Sequence, residues 1–137
     1  MHPLVPRAFE NLVSALLILL GGLTVCGWLF HVPAMVEIRA GLVPMVFNTG
    51  LCFLLVGVAN ALSRRTPPWT RRVRGSIALV LAVLCGLTLV EILLDRPLGV
   101  DLAGLHAWFD YGNTRPGRMA PNTALGFFLI AAAIALA

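Results

Sequence analysis

The sequence predicts an all-α integral membrane protein with four transmembrane helices, arranged as two tandem helical hairpins. Of its 137 residues, 59% are hydrophobic and only 12% are charged, and the mean hydropathy is +0.92. A soluble domain carries about 25% charged residues. The apolar residues fall into four long runs, and one short motif stands at the start of the second run and again at the start of the fourth. The composition therefore indicates a membrane protein, and the repeated motif indicates two similar hairpins.

The four predicted transmembrane segments cover residues 12–30, 43–62, 77–94 and 121–137. A spanning helix needs roughly 17–25 residues. The only charged side chain in these segments is Glu91. The last segment reaches the end of the sequence with no basic anchor behind it. We therefore expect residues 1–137 to be a single four-helix membrane domain at the N-terminus of a longer polypeptide, whose remainder carries the output activity.

An internal repeat is the basis for predicting tandem hairpins. Residues 45–53 and residues 119–127 have Met, Asn, Thr, Leu and Phe at corresponding positions. A weaker match relates Gly-Leu-Thr at residues 22–24 to Gly-Leu-Thr at residues 86–88. Since each hairpin contains two helices, both units would have the same orientation in the membrane, as parallel repeats do.

The arginines determine the predicted orientation. Five of the ten basic residues lie between the second and third apolar runs: Arg64, Arg65, Arg71, Arg72 and Arg74. Short loops rich in arginine stay in the cytoplasm. We therefore predict a cytoplasmic lead at residues 1–11, a cytoplasmic loop at 63–76, an outer loop at 95–120, and both termini in the cytoplasm. Contact with anionic lipid explains this charge, so no nucleic-acid partner is expected.

The outer loop contains a helical pattern. Its apolar residues recur three and four positions apart, at Leu98, Leu102, Leu105 and Phe109. That spacing is typical of one face of a helix. With Trp108 beside it, the pattern predicts a short amphipathic helix on the outer membrane surface, between the third and fourth transmembrane helices.

The candidate ligand-binding residues are polar side chains at the outer ends of apolar helices: Asn48, Glu91, Arg118, Asn122 and Thr123. A polar group inside a bilayer must find a partner. In one interpretation the asparagines and Thr123 cap helices or bond across them, and Glu91 pairs with Arg96 or Arg118. In the other, these residues line one shared pocket in the outer half of the membrane. The sequence leaves both interpretations open.

Two histidines, His31 and His106, also fall on the predicted outer side. Imidazoles on facing elements are ligands that haem or a metal ion takes, and the alternative is two ordinary interfacial side chains. Their spacing matches no metal motif such as HxxxH. The sequence also has no Walker loop, nucleophile elbow or HExxH motif. We therefore expect no enzyme within these residues, and the cofactor is left open.

Three stretches carry a resemblance to a known group of proteins. They are the Pro-Asn-Thr-Ala segment within residues 117–127, residues 47–55, and residues 87–102. Together they resemble the multi-helix N-terminal membrane regions of bacterial sensor histidine kinases and diguanylate cyclases, over about residues 40–137. The resemblance implies signalling from the bacterial inner membrane, a fourth helix that leads to a cytoplasmic output domain, and a homodimer. It implies no particular ligand.

The expected function is a membrane-embedded sensory module that passes an outer-side or in-membrane stimulus to a cytoplasmic output domain. The rival expectation is a small four-helix accessory subunit that holds haem, quinone or lipid, or that packs against a larger membrane complex. Membrane lipid is a partner in both cases. An output domain in frame after Ala137 would support the sensory module, whereas a stop codon there would support the subunit.

Overall fold

The computed structural model describes residues 6–37, 41–109, 112 and 114–137. These residues form helices and no strand: α1 (Arg7–Leu29), α2 (Pro33–Val36), α3 (Phe47–Leu62), α4 (Pro68–Leu94), α5 (Ala103–His106) and α6 (Pro121–Leu136). The predicted all-α class is therefore confirmed for the described part of the chain.

The four longer helices alternate in direction, so their ends meet at two opposite ends of the bundle. Different side chains gather at each of these ends. At one end, Glu10 of α1 forms an ion pair with Arg64, which follows α3. At the other end, the Trp28 indole donates a hydrogen bond to the Met45 carbonyl oxygen over 2.7 Å. We call the first the arginine end and the second the polar end.

Helix α1 packs mainly against α3, along a seam of small residues. A Cβ atom built on Gly21 would lie 2.4 Å from backbone atoms of Gly50 and Leu54. One built on Gly57 would lie 2.8 Å from a side-chain carbon of Ile18. Glycine is therefore required at both positions, and the two helix backbones approach closely, as helices in membranes often do.

Helix α4 packs mainly against α6, and this seam is built from larger side chains. Its buried residues include Leu81 and Cys85 of α4 and Phe127 of α6. Helix α3 joins the two pairs, since the ring of Phe53 meets that of Phe127 edge-on, with the centroids 5.1 Å apart. The core thus lies between α3, α4 and α6.

Three helices begin at other residues than the apolar runs predicted. Helix α1 begins at Arg7 and α4 begins at Pro68, so both start earlier than expected, while α3 starts later, at Phe47. The predicted inner loop at 63–76 is consequently mostly helical, and only residues 63–67 connect α3 to α4. A proline suits the first position of a helix because its fixed φ is already helical and its missing N–H needs no partner.

The outer amphipathic helix is much shorter than predicted. Only Ala103–His106 is helical, and Leu98, Leu102 and Phe109 lie outside it. Leu102 has a φ of +49°, which ends any helix that would run through it. Residues 110, 111 and 113 of the predicted outer loop lie outside the described residues.

Large apolar side chains cover the outside of the long helices. Leu16 and Leu19 of α1 and Leu79 and Leu93 of α4 are all more than half exposed. Soluble monomers rarely expose continuous apolar surface of this kind. By length and hydropathy, α1 and α4 qualify as candidate membrane spans, whereas α3 and α6 are apolar but have 16 residues each. The described residues therefore provide two candidate spans, against the four predicted.

Candidate functional site

Polar side chains gather at the polar end, where the start of α3, the end of α4 and the loop before α6 meet. We call the set the polar cluster: Asn48, Glu91, Asp101, His106 and Arg118. All except Arg118, which is partly buried, have at most 8% of their surface exposed. Burying so many polar groups is costly unless each has a hydrogen-bond partner. The partners therefore indicate what the cluster can do.

His106 binds the start of α3. Its Nε2 accepts a hydrogen bond from the Phe47 N–H over 3.2 Å and therefore carries no proton. The ring proton must then be on Nδ1, which donates to the Leu102 carbonyl oxygen over 3.0 Å. Burial lowers the pKa of His106, against the opposing effects of the Leu102 carbonyl and Asp101. The ring is therefore neutral at pH 7, and both of its nitrogens are engaged.

Aromatic rings surround this histidine. The ring of Trp28 lies 4.2 Å from that of His106, and the ring of Trp108 lies 5.4 Å from that of Trp28, between centroids. His31 is exposed, and its ring meets Trp108 at 4.9 Å. The two histidines proposed as haem ligands thus contact different tryptophans. Because His106 also has no free nitrogen, this arrangement disfavours haem ligation by the pair.

The possibility of a metal site was the second interpretation of the two histidines. The described residues contain no group of three or more histidine, cysteine, aspartate and glutamate side chains placed to hold one.

The Asn48 side chain connects the loop between α4 and α5 to α3 by a hydrogen bond. Its Nδ2 donates to the Val100 carbonyl oxygen over 2.7 Å, and the side chain is 1% exposed. The two residues are 52 positions apart in the sequence. The partner lies in a loop and not in another helix, so the contact differs from the predicted bond across helices. It fixes the position of the loop that carries Asp101.

Glu91 is fully buried in the last turn of α4. Its Oε1 accepts a hydrogen bond from the Leu98 N–H. Its Oε2 has no hydrogen-bond partner among the described residues. The pairing with Arg96 or Arg118 that the sequence suggested is not present, because Arg96 is exposed and Arg118 pairs with Asp101 instead.

Asp101 was not among the predicted site residues, yet it is central to the cluster. Its Oδ2 accepts a hydrogen bond from Arg118 Nε over 3.1 Å, while its Oδ1 has no partner among the described residues. The Glu91 side chain lines the same cavity as Asp101. Burial raises the pKa of Asp101; the hydrogen bond from Arg118 lowers it, and the neighbouring Glu91 raises it further.

A cavity of about 270 Å³ adjoins these carboxyl groups. Its walls combine apolar residues with charged ones: Pro97, Leu102, Ala103, Pro116, Glu91, Asp101, Arg115 and Arg118. Sites for drug-sized ligands measure about 300–1,000 Å³ and are mostly apolar with a few polar groups. This cavity has that character at a smaller size.

Gly117 allows the loop before α6 to pack closely against the polar cluster. Its φ is +83°, and a Cβ atom there would lie 2.0 Å from the Asp101 carbonyl oxygen and 2.6 Å from His106 Nδ1. The backbone conformation and the lack of space both require glycine. This contact places the next residue, Arg118, beside Asp101.

The other predicted site residues lie apart from the cluster. Asn122 is exposed at the second position of α6. Thr123 lines a second groove of about 330 Å³ together with Thr49 and Arg118. The structure thus brings Asn48, Glu91 and Arg118 to one cluster with His106 and leaves Asn122 outside it.

Sequence reasoning missed Asp101 and the burial of Trp28. An acid in an outer loop gives no sign that a second loop will cover it, and the spacing of the apolar residues placed Asp101 on a surface helix. One local signal was available. The Arg-Pro-Gly-Arg segment at residues 115–118 is typical of a turn with a positive φ.

Comparison with protein-family models, with curated proteins and with solved structures gives no match for this chain. The functional argument therefore depends on the geometry of the polar cluster and on the distribution of charge and apolar surface.

Proposed function

We propose that this chain is a membrane-embedded sensory module of the bacterial inner membrane, with four transmembrane helices and the polar cluster on the outer side. The observation that carries the proposal is the polar cluster itself. It is buried, it contains two carboxyl groups with unsatisfied oxygens, and it adjoins a cavity. Because α3, α4 and the loop before α6 all contribute to it, a ligand bound there would act on three helices together.

The charge distribution supports this orientation. Arg64 and Arg65 follow α3, and Arg71, Arg72 and Arg74 lie in the first two turns of α4, all at the arginine end. A cluster of five arginines at one end of a helical bundle is typical of the cytoplasmic side. The polar end, with its cavity, would then face the outside.

Contacts along α1 support a spanning role for α3. Asn60 Nδ2 donates to Ser14 Oγ over 2.8 Å near the arginine end, and Trp28 reaches Met45 at the polar end. Helix α3 therefore accompanies α1 from one end to the other. Helix α6 accompanies α4 in the same way, so both shorter helices would cross the membrane with their partners.

Helix α6 is the element that would carry the signal. It begins beside the polar cluster, after Arg118, and its last turns reach the arginine end, where Ile134 and Arg74 line one groove. A packed helix transmits a shift of about 1–2 Å that a flexible linker would absorb. We propose that α6 continues into a cytoplasmic output domain and that two copies of the chain act as a homodimer.

Insertions after residue 137 of the full-length protein test this mechanism. Seven Gly/Ser residues should uncouple the output activity from the stimulus, because they interrupt the helix. Seven Ala-rich residues add about two helical turns and keep the register, so this matched insertion should preserve at least part of the response. Equal signalling from both insertions would reduce α6 to an anchor.

The accessory-subunit alternative has one observation in its favour. A groove of about 300 Å³ at the arginine end is lined by apolar residues of α1, α3 and α6 together with Asn60, Ser63 and Arg74. Such a groove suits a lipid or quinone tail. A stop codon directly after Ala137 in the coding region would favour this alternative over the sensory module.

A further inference from the structure

A groove between α1 and α6 stays open at the arginine end, and we call it the α1–α6 groove. Within the described part of the chain, α1 packs against α3, and α6 packs against α4 and α3, but α1 and α6 do not pack against each other. Helix α3 therefore forms the floor of the groove, where Ala59 is buried and its short side chain leaves room. The volume of the groove is about 300 Å³.

The walls of the α1–α6 groove are mostly apolar. Its larger apolar residues come from α1, α3 and α6: Val13, Leu17, Val56, Ile130 and Ile134. The polar part of the lining consists of Asn60 and Ser63 at the end of α3 and Arg74 in the second turn of α4. Among the described residues that line the groove, Arg74 alone is charged, so the lining carries one positive charge.

Arg74 differs from the other arginines that follow α3. The exposed ones are Arg64, Arg65, Arg71 and Arg72. Arg74 is partly buried, its Nε has no hydrogen-bond partner among the described residues, and its side chain forms no ion pair with them. Glu10, the acid of α1 at this end, pairs with Arg64 instead. A partly buried charge without a counter-ion is unfavourable, so an anion at Arg74 would be stabilised.

We propose that the α1–α6 groove binds one anionic phospholipid from the cytoplasmic leaflet. The lipid phosphate would accept hydrogen bonds from the terminal amino groups of Arg74, and the first part of one acyl chain would lie between α1 and α6. The planar guanidinium group matches the geometry of a phosphate. Basic pockets between transmembrane helices on the cytoplasmic side bind anionic lipid headgroups in this way.

The combination of one cation with apolar walls selects this class of ligand. A quinone has a neutral head and would leave the charge of Arg74 without compensation. A free phosphate ion would compensate the charge but would leave the apolar walls without contacts. A zwitterionic phospholipid carries a cation of its own and brings no net negative charge. Of these four ligands, the anionic phospholipid is the one that suits both parts of the groove.

Such a lipid would connect two helices that do not otherwise pack together. Its acyl chain would contact Leu17 of α1 on one side and Ile130 and Ile134 of α6 on the other. Because α6 is the proposed signalling helix, the lipid would restrain its last turns. The inference rests on the proposed membrane location and names a regulator of the sensory module. Lipid binding is measured without stimulus or output, so the sensory role and the lipid site can fail separately.

Native mass spectrometry of the full chain in an uncharged detergent measures this binding. The chain is titrated with phosphatidylglycerol or with phosphatidylcholine of the same acyl chains, and with glycerol 3-phosphate as a headgroup without a tail. We expect one phosphatidylglycerol molecule to be retained per chain at concentrations at which the other two compounds are not retained. The reason is that only phosphatidylglycerol combines a net negative charge with acyl chains.

Variants of two arginines test the headgroup contact. Arg74→Gln should weaken phosphatidylglycerol binding by about fivefold, the contribution of one arginine near anionic lipid. Arg72→Gln removes the same charge from an exposed position and should change the affinity by less than about twofold, because exposed charges are screened by salt. Arg74→Lys keeps the charge without the planar fork and should lie between the wild type and Arg74→Gln. It also serves as the test if Arg74→Gln does not fold.

Variants of two neighbouring residues of α6 test the acyl-chain contact. Ile130→Trp should weaken phosphatidylglycerol binding by about fivefold or more, because the larger ring occupies the space of the chain. Leu129 is more exposed and does not line the groove. Leu129→Trp is therefore the matched control and should bind like the wild type.

Several results would overturn the inference. Equal retention of the two lipids would remove the role of charge, and equal weakening by Arg72→Gln and Arg74→Gln would assign that role to the arginine cluster as a whole. Glycerol 3-phosphate binding as strong as that of phosphatidylglycerol would make the groove a site for a soluble phosphate compound. A chain that retains no lipid and forms a stable dimer would assign the groove to a second copy. Phosphatidylglycerol binding without any effect on the output of the full-length protein would support the site and contradict its regulatory role.

Discussion

Helices α3 and α6 begin with the same motif but meet different surroundings. In both, the second residue is asparagine and the third is threonine, and neither has a side-chain cap on the residue before the helix. The first residue differs. The N–H group of Phe47 in α3 donates a hydrogen bond to His106, whereas Pro121 of α6 has no N–H group and needs no partner.

The asparagines differ more strongly. Asn48 is buried and holds the outer loop through the Val100 carbonyl, while Asn122 is exposed. The outer loop folds back over the start of α3, so only this copy of the motif becomes part of the polar cluster. The similar sequences therefore begin a helix at both places, but the two asparagines have different roles.

The two helix seams differ in the same way. Gly21 allows backbone contact between α1 and α3, with 2.4 Å from its missing Cβ to the neighbouring backbone. A Cβ on Gly86 of α4 would lie 3.5 Å from the ring of Phe128, which is an ordinary van der Waals distance. The first pair of helices is therefore held by close backbone approach and the second by larger side chains.

The largest expected effect concerns these seams. Gly21→Ala should destabilise the protein by about 1–3 kcal/mol or more, because the new methyl group meets backbone that cannot move aside. Gly86→Ala should change the stability by no more than about 0.5 kcal/mol or raise it slightly, because alanine favours a helix. The measurement is the thermal unfolding midpoint in detergent. Similar shifts for both variants would remove the distinction between the seams.

The next effect concerns the asparagines. Asn48→Ala should cost about 1–3 kcal/mol, because it leaves the Val100 carbonyl oxygen without its partner. Asn122→Ala should stay within about 0.5 kcal/mol, as exposed substitutions usually do. In the full-length protein, Asn48→Ala should also reduce signalling more than Asn122→Ala. If the two variants behave alike, the repeated motif has one role in both hairpins.

The smallest effect concerns pH at the start of α3. Because burial lowers the pKa of His106 below its usual 6.5, its contribution to stability is present above that value and is lost as the pH falls. Protonation of Nε2 breaks the bond to the Phe47 N–H, which contributes about 0.5–1.5 kcal/mol. The unfolding midpoint should therefore fall when the pH is lowered from 7.5 to 5.5.

Two variants isolate this effect from other titrating groups. His106→Gln does not titrate and should remove the fall, whereas His31→Gln changes an exposed ring and should retain it. Asp101 acts in the opposite direction, since its raised pKa favours the folded state at low pH. An unchanged pH profile in His106→Gln would assign the dependence to another group.

The sequence predicted what apolar patterning controls. The end of α3 at Leu62, the end of α4 at Leu94 and the start of α6 at Pro121 agree with the predicted segments.

The sequence could not predict what long-range contacts control. The pattern over residues 98–109 has helical spacing, but the positive φ of Leu102 and the hydrogen bond between His106 and Phe47 override it. Likewise, Glu91 and Asp101 lie near each other because Gly117 allows the loop before α6 to pack against the loop that carries Asp101. No local pattern records that arrangement, and so the carboxyl pair was not foreseen.

The lengths of the helices have a consequence for the surrounding lipid. Helices α3 and α6, with 16 residues, measure about 24 Å, and α1 and α4, with 23 and 27 residues, measure about 35 and 40 Å. The apolar core of a bilayer is about 30 Å thick. The apolar part of α4, residues 77–94, measures only about 27 Å, because the first turns of the helix carry Arg71, Arg72 and Arg74. If the chain spans a membrane as proposed, the short helices α3 and α6 would therefore fall about 6 Å short of the apolar core and would thin the bilayer beside them. In that arrangement, a change in bilayer thickness would alter the mismatch at α3 and α6, and with it the packing of all four helices, without any ligand.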